Sequence, residues 1–155
     1  MKYLLIAFAL LFSACSIKNY EITQTKIFII KSPKLKFADL GYLRNSQKSI
    51  ELELFTAGKA IEKITINHLI CMSEGCMTKN SFNKDYLNES YPSEILQNIL
   101  LAQAIYDGKN RVQTQEGFEQ KIEDENVNIT YRVSSNVIYF KDKKNKIIFK
   151  IKDTK

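Results

Sequence analysis

Ile50-Glu51-Leu52-Glu53-Leu54-Phe55-Thr56-Ala57-Gly58-Lys59-Ala60-Ile61-Glu62-Lys63-Ile64-Thr65-Ile66 is the stretch on which the fold turns. Ile50, Leu52 and Leu54 alternate with Glu51 and Glu53, while Ile64, Ile66 and, further on, Ile70 fall on the side opposite Lys63, Thr65 and Asn67. A period of two sends successive side chains to opposite faces of a strand, so each arm has one face for a core and one for water. The Ala57-Gly58 turn between the arms is too short to join anything but antiparallel neighbours.

The same pattern recurs downstream. Val127, Ile129, Tyr131 and Val133 alternate with Asn128, Thr130 and Arg132; Ile147, Phe149 and Ile151 alternate with Ile148, Lys150 and Lys152. Less regular strands are expected at 21–31, 35–44, 117–123 and 136–141, separated by short polar turns. The meander is interrupted once. Residues 82–87 read as a short helix and 92–102 as a longer one, with Pro92 at its start and Glu94 in its first turn. Ile95, Leu96, Ile99, Leu100 and Ala102 recur at helical spacing and give that helix an apolar stripe. The expected fold is therefore α+β: a strongly curved antiparallel sheet, a half-barrel of about eight strands, wrapped over one or two helices. Residues 107–116, polar apart from Val112, read as a loop.

The N-terminus has its own logic. Lys2 precedes an apolar run from Tyr3 to Phe12, and Phe12-Ser13-Ala14-Cys15 places small residues before a cysteine. The run is about half of the ~20 residues a spanning helix needs, so it reads as an export signal, and the sequence resembles a bacterial lipoprotein signal. Residues 1–14 are then a signal peptide, residues 15–20 the lipidated Cys15 and its tether, and residues 21–155 a single domain. Apolar and charged contents of 45% and 26% are ordinary for a globular chain. Basic residues outnumber acidic ones, 23 to 17, mostly as Lys-x-Lys and Glu-x-Glu alternations. That is the pattern of solvated strand faces; contact of Lys141, Lys143, Lys144 and Lys146 with an anionic membrane surface is the alternative. Nucleic acid is not an expected partner for an exported, tethered protein.

Cys71 and Cys76, with four residues between them, can close a tight loop in an oxidising compartment and are expected to form a disulfide. His68 would extend them to His-x2-Cys-x4-Cys, a zinc alternative that lacks a fourth ligand nearby. No catalytic residue, metal or cofactor is assigned. The chain has one histidine, placed by the alternation on the apolar side of its strand, and its five glycines form no phosphate-binding loop. Glu51 and Glu53 sit on what reads as a wet face, unsuited to paired acid–base work.

Two parts of the sequence resemble the LolA/LolB lipoprotein-carrier family. Leu52 to Ile61 is similar to that family's strand, glycine turn and returning strand. After it, Phe82 to Leu87 and Tyr91-Pro92-Ser93-Glu94-Ile95-Leu96-Gln97-Asn98-Ile99-Leu100 are similar to its paired helices. Gly117-Phe118-Glu119-Gln120, Ile129-Thr130-Tyr131 and Ile147 to Ile151 with Lys146, Lys150 and Lys152 resemble the closing strands of the LolB branch. The likeness runs from 49 to 152. Phe55-Thr56-Ala57 stands where that branch has an exposed leucine, the cysteine pair is not part of the family's pattern, and tryptophan is absent.

The resemblance implies a monomeric lipoprotein anchored in the bacterial outer membrane, facing the periplasm, that takes lipoprotein acyl chains from a periplasmic carrier. Ser16, where lipoproteins retained in the inner membrane carry Asp, agrees with outer-membrane sorting. The acyl-binding wall would comprise Ile50, Leu52, Leu54, Phe55, Ile64, Ile66, Ile129, Tyr131, Phe149 and Ile151, lidded by Ile95, Leu96, Ile99 and Leu100. At ~0.8 kcal/mol per buried methylene, partial cover of one chain competes with a membrane. The alternative is a tethered structural or accessory subunit of an envelope complex, whose apolar face fills its own interior and which holds a partner through a strand edge or the 107–116 loop.

Overall fold

Ala57 and Gly58 both adopt positive φ, 50° and 78°, at the tip of the hairpin formed by residues 50–66. Two left-handed central residues match the right-handed twist of the strands they join, and the arms pair directly across it, Thr56 with Lys59. Ile61 is the extra residue of a bulge, since Leu54 faces Glu62 and Phe55 faces Ala60. It is left exposed.

The computed structural model describes residues 22–154. In chain order the elements are β1 (Ile22–Lys31), β2 (Lys36–Asn45), β3 (Ile50–Thr56), β4 (Lys59–Ile66), β5 (Leu69–Met72), β6 (Gly75–Thr78), α1 (Lys79–Tyr86) and α2 (Ile95–Leu100). Then follow a 3-10 turn (Tyr106–Gly108), β7 (Arg111–Gln113), β8 (Phe118–Glu123), β9 (Asn128–Val133), β10 (Val137–Asp142) and β11 (Ile147–Asp153). All strands belong to one 11-stranded sheet in the order β6-β5-β4-β3-β2-β1-β11-β10-β9-β8-β7. Every neighbouring pair is antiparallel, and β1 with β11, from Lys26↔Asp153 to Lys31↔Ile148, joins the two halves of the chain. The edges β6 and β7 do not pair with each other, so the sheet stays open.

This corrects the expected α+β half-barrel of about eight strands. The described residues are mostly β, with 53% strand and 13% helix, in a sheet not closed into a barrel. The additional strands are β5, β6 and β7. The isoleucine alternation through Ile70 suggests one long strand, but the chain turns at Asn67 and His68, where Asn67 Oδ1 accepts from Leu69 N at 2.8 Å. His68 is consequently exposed and not on the apolar side. β7 falls within the expected loop and has three residues, all exposed, too short for a periodicity to register.

The helices differ from expectation in opposite directions: the first begins three residues early, at Lys79 and not Phe82, and the second is shorter. α1 is started by Thr78, whose hydroxyl accepts from Ser81 N at 3.1 Å. α2 has six residues and begins at Ile95, not at Pro92. It ends because Leu101 leaves the helix and Ala102 takes a φ of 56°. Ile95, Leu96, Ile99 and Leu100 are all buried, so tertiary cover, not helix length, holds it in place.

The core lies between the helices and one face of the sheet. Phe28, Leu52, Ile64, Tyr131, Phe140 and Phe149 from the strands and Phe82, Ile95 and Ile99 from the helical segment belong to a single buried cluster. Gly41 is needed for this packing. A Cβ there would lie 2.8 Å from the Phe28 ring, which rests directly on the glycine backbone.

Candidate functional site

Alternation divides the sheet into two faces, and the register lets each be read row by row. On the inner face Gln120, Tyr131, Phe140, Phe149, Ile30 and Phe37 stand opposite one another across β8, β9, β10, β11, β1 and β2. The aromatic members meet edge to face, with ring centroids 6.2 Å apart for Tyr131 and Phe140 and 6.1 Å for Phe140 and Phe149. Tyr91 closes on Phe140 from the helical side at 5.9 Å.

The residues proposed to bind acyl chains are placed almost wholly here. Ile50, Leu52, Leu54, Ile64, Ile66, Ile95, Leu96, Ile99, Leu100, Ile129, Tyr131, Phe149 and Ile151 are all buried within the core cluster, packed on one another. Phe55 is the exception. It follows Leu54 onto the outer face and packs edge-on against Tyr42, centroids 5.0 Å apart. The structure thus brings thirteen of the fourteen candidates together as a packed interior.

A cleft does open at one end, beside the start of β1. It measures about 250 Å³ and is lined by Ile22, Leu43, Leu100, Leu101, Ala102 and Ile138 with the polar Gln24, Lys26 and Asn45. Of the candidate residues only Leu100 reaches it. Lys26 in its wall is paired with Asp153, Nζ to Oδ1 2.5 Å.

Two buried polar side chains fasten the loops over the core. Gln120 accepts from Ile105 N at 2.9 Å and donates to Ile105 O at 2.9 Å and Lys109 O at 2.7 Å. Asp142 is fully buried and accepts from Tyr91 Oη at 2.7 Å, Asn145 Nδ2 at 2.7 Å, and the backbone amides of Lys144 at 2.9 Å and Asn128 at 3.1 Å. Burial alone would push the Asp142 carboxyl up, but the hydrogen bonds from Asn145, Tyr91 and the Asn128 and Asn145 amides outweigh it and hold it below the usual range. The same burial, then the bond to Asp142, pushes the Tyr91 hydroxyl up. Neither residue was singled out for its role from sequence. The available signal was local: an Asp heading an Asp-Lys-Lys-Asn turn, which such side chains cap.

The outer face is different in kind. Its central rows run Thr130, Lys141, Ile148, Lys31, Lys36; then Arg132, Tyr139, Lys150, Ile29, Ala38; then Val137, Lys152, Ile27, Leu40. Lysines and aliphatic or aromatic residues interleave, and no carboxylate stands in these rows. Among the described residues Lys31, Lys36, Lys141, Lys150 and Lys152 form no ion pair, while the outer-face carboxylates Glu51, Glu53 and Glu119 at the flanks are engaged by Arg44, Lys63, Arg132 and Lys121. Ile29, Leu40 and Tyr42 are 37%, 44% and 36% exposed, all within β1 and β2. An open hollow of about 500 Å³ lies between Arg132, Val137, Tyr139 and Lys150 on the same face.

Cys71 and Cys76 face each other across the β5–β6 hairpin at disulfide distance, Sγ to Sγ 2.02 Å. Among the described residues no helix is long and apolar enough to cross a membrane. The expected signal peptide, the lipidated Cys15 and the tether lie outside the described residues. No protein-family model, curated protein or solved structure matches the chain, so nothing in these comparisons bears on the resemblance to LolA/LolB.

Proposed function

We propose that this is a lipid-tethered protein of the bacterial outer membrane, facing the periplasm, that acts through its surface as a structural or accessory component of the envelope and not through catalysis or an internal ligand. The observation that carries the reading is the use of the apolar wall. Every candidate acyl-binding residue but Phe55 is spent on the protein's own core. An apolar face whose side chains are buried on one another and on the helices presents no open wall to a guest, apart from Leu100 at the end cleft. What remains available is outside: the lysine-rich rows and the exposed edge of β7.

Acyl-chain binding is kept as the second reading on one observation, the cleft of about 250 Å³ at the end of the sheet where the tether would arrive. Six of its nine lining residues are apolar, and it has room for part of one chain. Mass spectrometry of the protein gently extracted from membranes separates the two. The surface-acting reading expects no lipid beyond a covalent modification at Cys15, and other lipoproteins reaching the outer membrane normally when the protein is depleted. Co-purifying lipid or lipoprotein, with stalled lipoprotein sorting on depletion, would overturn it in favour of the carrier.

A further inference from the structure

We infer that the outward face of β10, β11, β1 and β2 is a docking surface for an anionic phospholipid bilayer, an inference that builds on the reading of the chain as membrane-tethered. Two features of the face meet the chemistry of such a surface together. Lys31, Lys36, Lys141, Lys150 and Lys152 carry positive charge that no carboxylate among the described residues neutralises. Between them Ile27, Ile29, Leu40, Tyr139 and Ile148 present apolar surface at the same level. Lysine stems can lie along those neighbours while the ammonium groups reach lipid phosphates, which lets the apolar side chains settle at the headgroup boundary.

The acids are arranged to agree. The outward glutamates sit on β3 and β8, flanking the central strands, and Glu51, Glu53 and Glu119 are already held by arginine and lysine. The field over the middle of the face is therefore left positive. Reach is sufficient as well. Residues 16–21 separate Cys15 from the first residue of β1, and six extended residues span about 20 Å. β1 itself belongs to the face, so a lipid at Cys15 leaves these strands close enough to lie along the membrane. A directional protein partner would call for donors and acceptors to match its own; this face offers chiefly ammonium groups and hydrocarbon.

The test uses the full chain reconstituted with vesicles of phosphatidylcholine, alone or mixed with phosphatidylglycerol. An environment-sensitive fluorophore is placed on Tyr139→Cys, within the face, or on Lys84→Cys, exposed on α1. With phosphatidylglycerol present, the label at 139 shifts to the blue and is quenched by brominated lipid, while the label at 84 stays in water. A lysine beside an anionic surface contributes about fivefold to partitioning, so Lys141→Gln, Lys150→Gln and Lys152→Gln together weaken docking about a hundredfold. These outward changes leave the thermal transition in place. A label at 139 that stays in water, equal quenching with and without phosphatidylglycerol, or protection of 139 only by an added protein would each overturn the inference. Flotation with phosphatidylcholine vesicles reports the anchor separately: a chain that floats but does not dock keeps its tether and loses this face, and one that docks without floating does the reverse.

Discussion

Tyr131 and Arg132 are consecutive in the chain and belong to opposite regions of the molecule, and so do Phe140 and Tyr139, and Phe149 and Lys150. The inner row closes on itself, ring against ring, beneath the helices. The outer row, one residue out of step, interleaves cations with hydrocarbon, and of its members only Arg132 has a carboxylate partner among the described residues, Glu119. The difference teaches where to seek function in such a sheet. The more hydrophobic face is used up in making the fold, and the less hydrophobic one is what another surface can touch.

The contrast breaks first, and hardest, on the inside. Phe140→Ala empties the centre of the aromatic row and is expected to cost about 3–5 kcal/mol, read as a lower denaturant midpoint. Leu40→Ser on the outer face, in the same assay, is expected to change stability by no more than about 0.5 kcal/mol. If the two substitutions cost the same, the assignment of inner and outer faces is wrong.

Asp142 sharpens the comparison by adding pH. Asp142→Asn sets an amide against several hydrogen-bond donors in a buried site, an expected loss of about 2–3 kcal/mol at neutral pH. The folded carboxyl is held below its unfolded value, about 3.9, so its stabilisation is complete above that value and disappears as pH falls through the folded one. The deficit of Asp142→Asn should therefore narrow below about pH 4. A deficit independent of pH would mean that the charge of Asp142 contributes nothing.

How far the sequence could be read follows from the length of each signal. β3, β9 and β11, six or seven residues long, each carry inward apolar residues at every second position over at least five residues and appear where expected. β5, β6 and β7, of three or four residues, carry too few positions for a period of two to stand out. The inner face was legible residue by residue, down to the cluster of Ile50, Leu52, Ile64 and Ile129. Whether that face enclosed a cavity was not, because periodicity states which side chains face inward and not how completely they fill the space. The lysine rows escaped notice for a related reason: they exist only across strands, and register is not written in any one of them.

The β5–β6 hairpin offers a milder test, at the sheet edge, far from the aromatic row. Replacing both Cys71 and Cys76 by Ser removes a ring so short that the expected loss is about 2 kcal/mol, with the core fluorescence of the folded state unchanged. Global unfolding on reduction would show instead that this edge holds the whole sheet.

The smallest effect is expected where the two faces are first set apart. Ala57 holds a φ of 50° at the tip of the β3–β4 hairpin, a conformation that costs an L-residue with a Cβ and that glycine adopts freely. Ala57→Gly should relieve that strain at some expense in unfolded-state entropy, for a net gain of about 0.5 kcal/mol in denaturant unfolding. The gain should come without any change in which residues face inward, because the bulge at Ile61 and the pairing of Leu52 with Ile64 fix the register independently of the tip. Should Ala57→Gly instead expose Leu52 or Ile64, the turn and not the packing of the inner face would be what keeps the two faces apart.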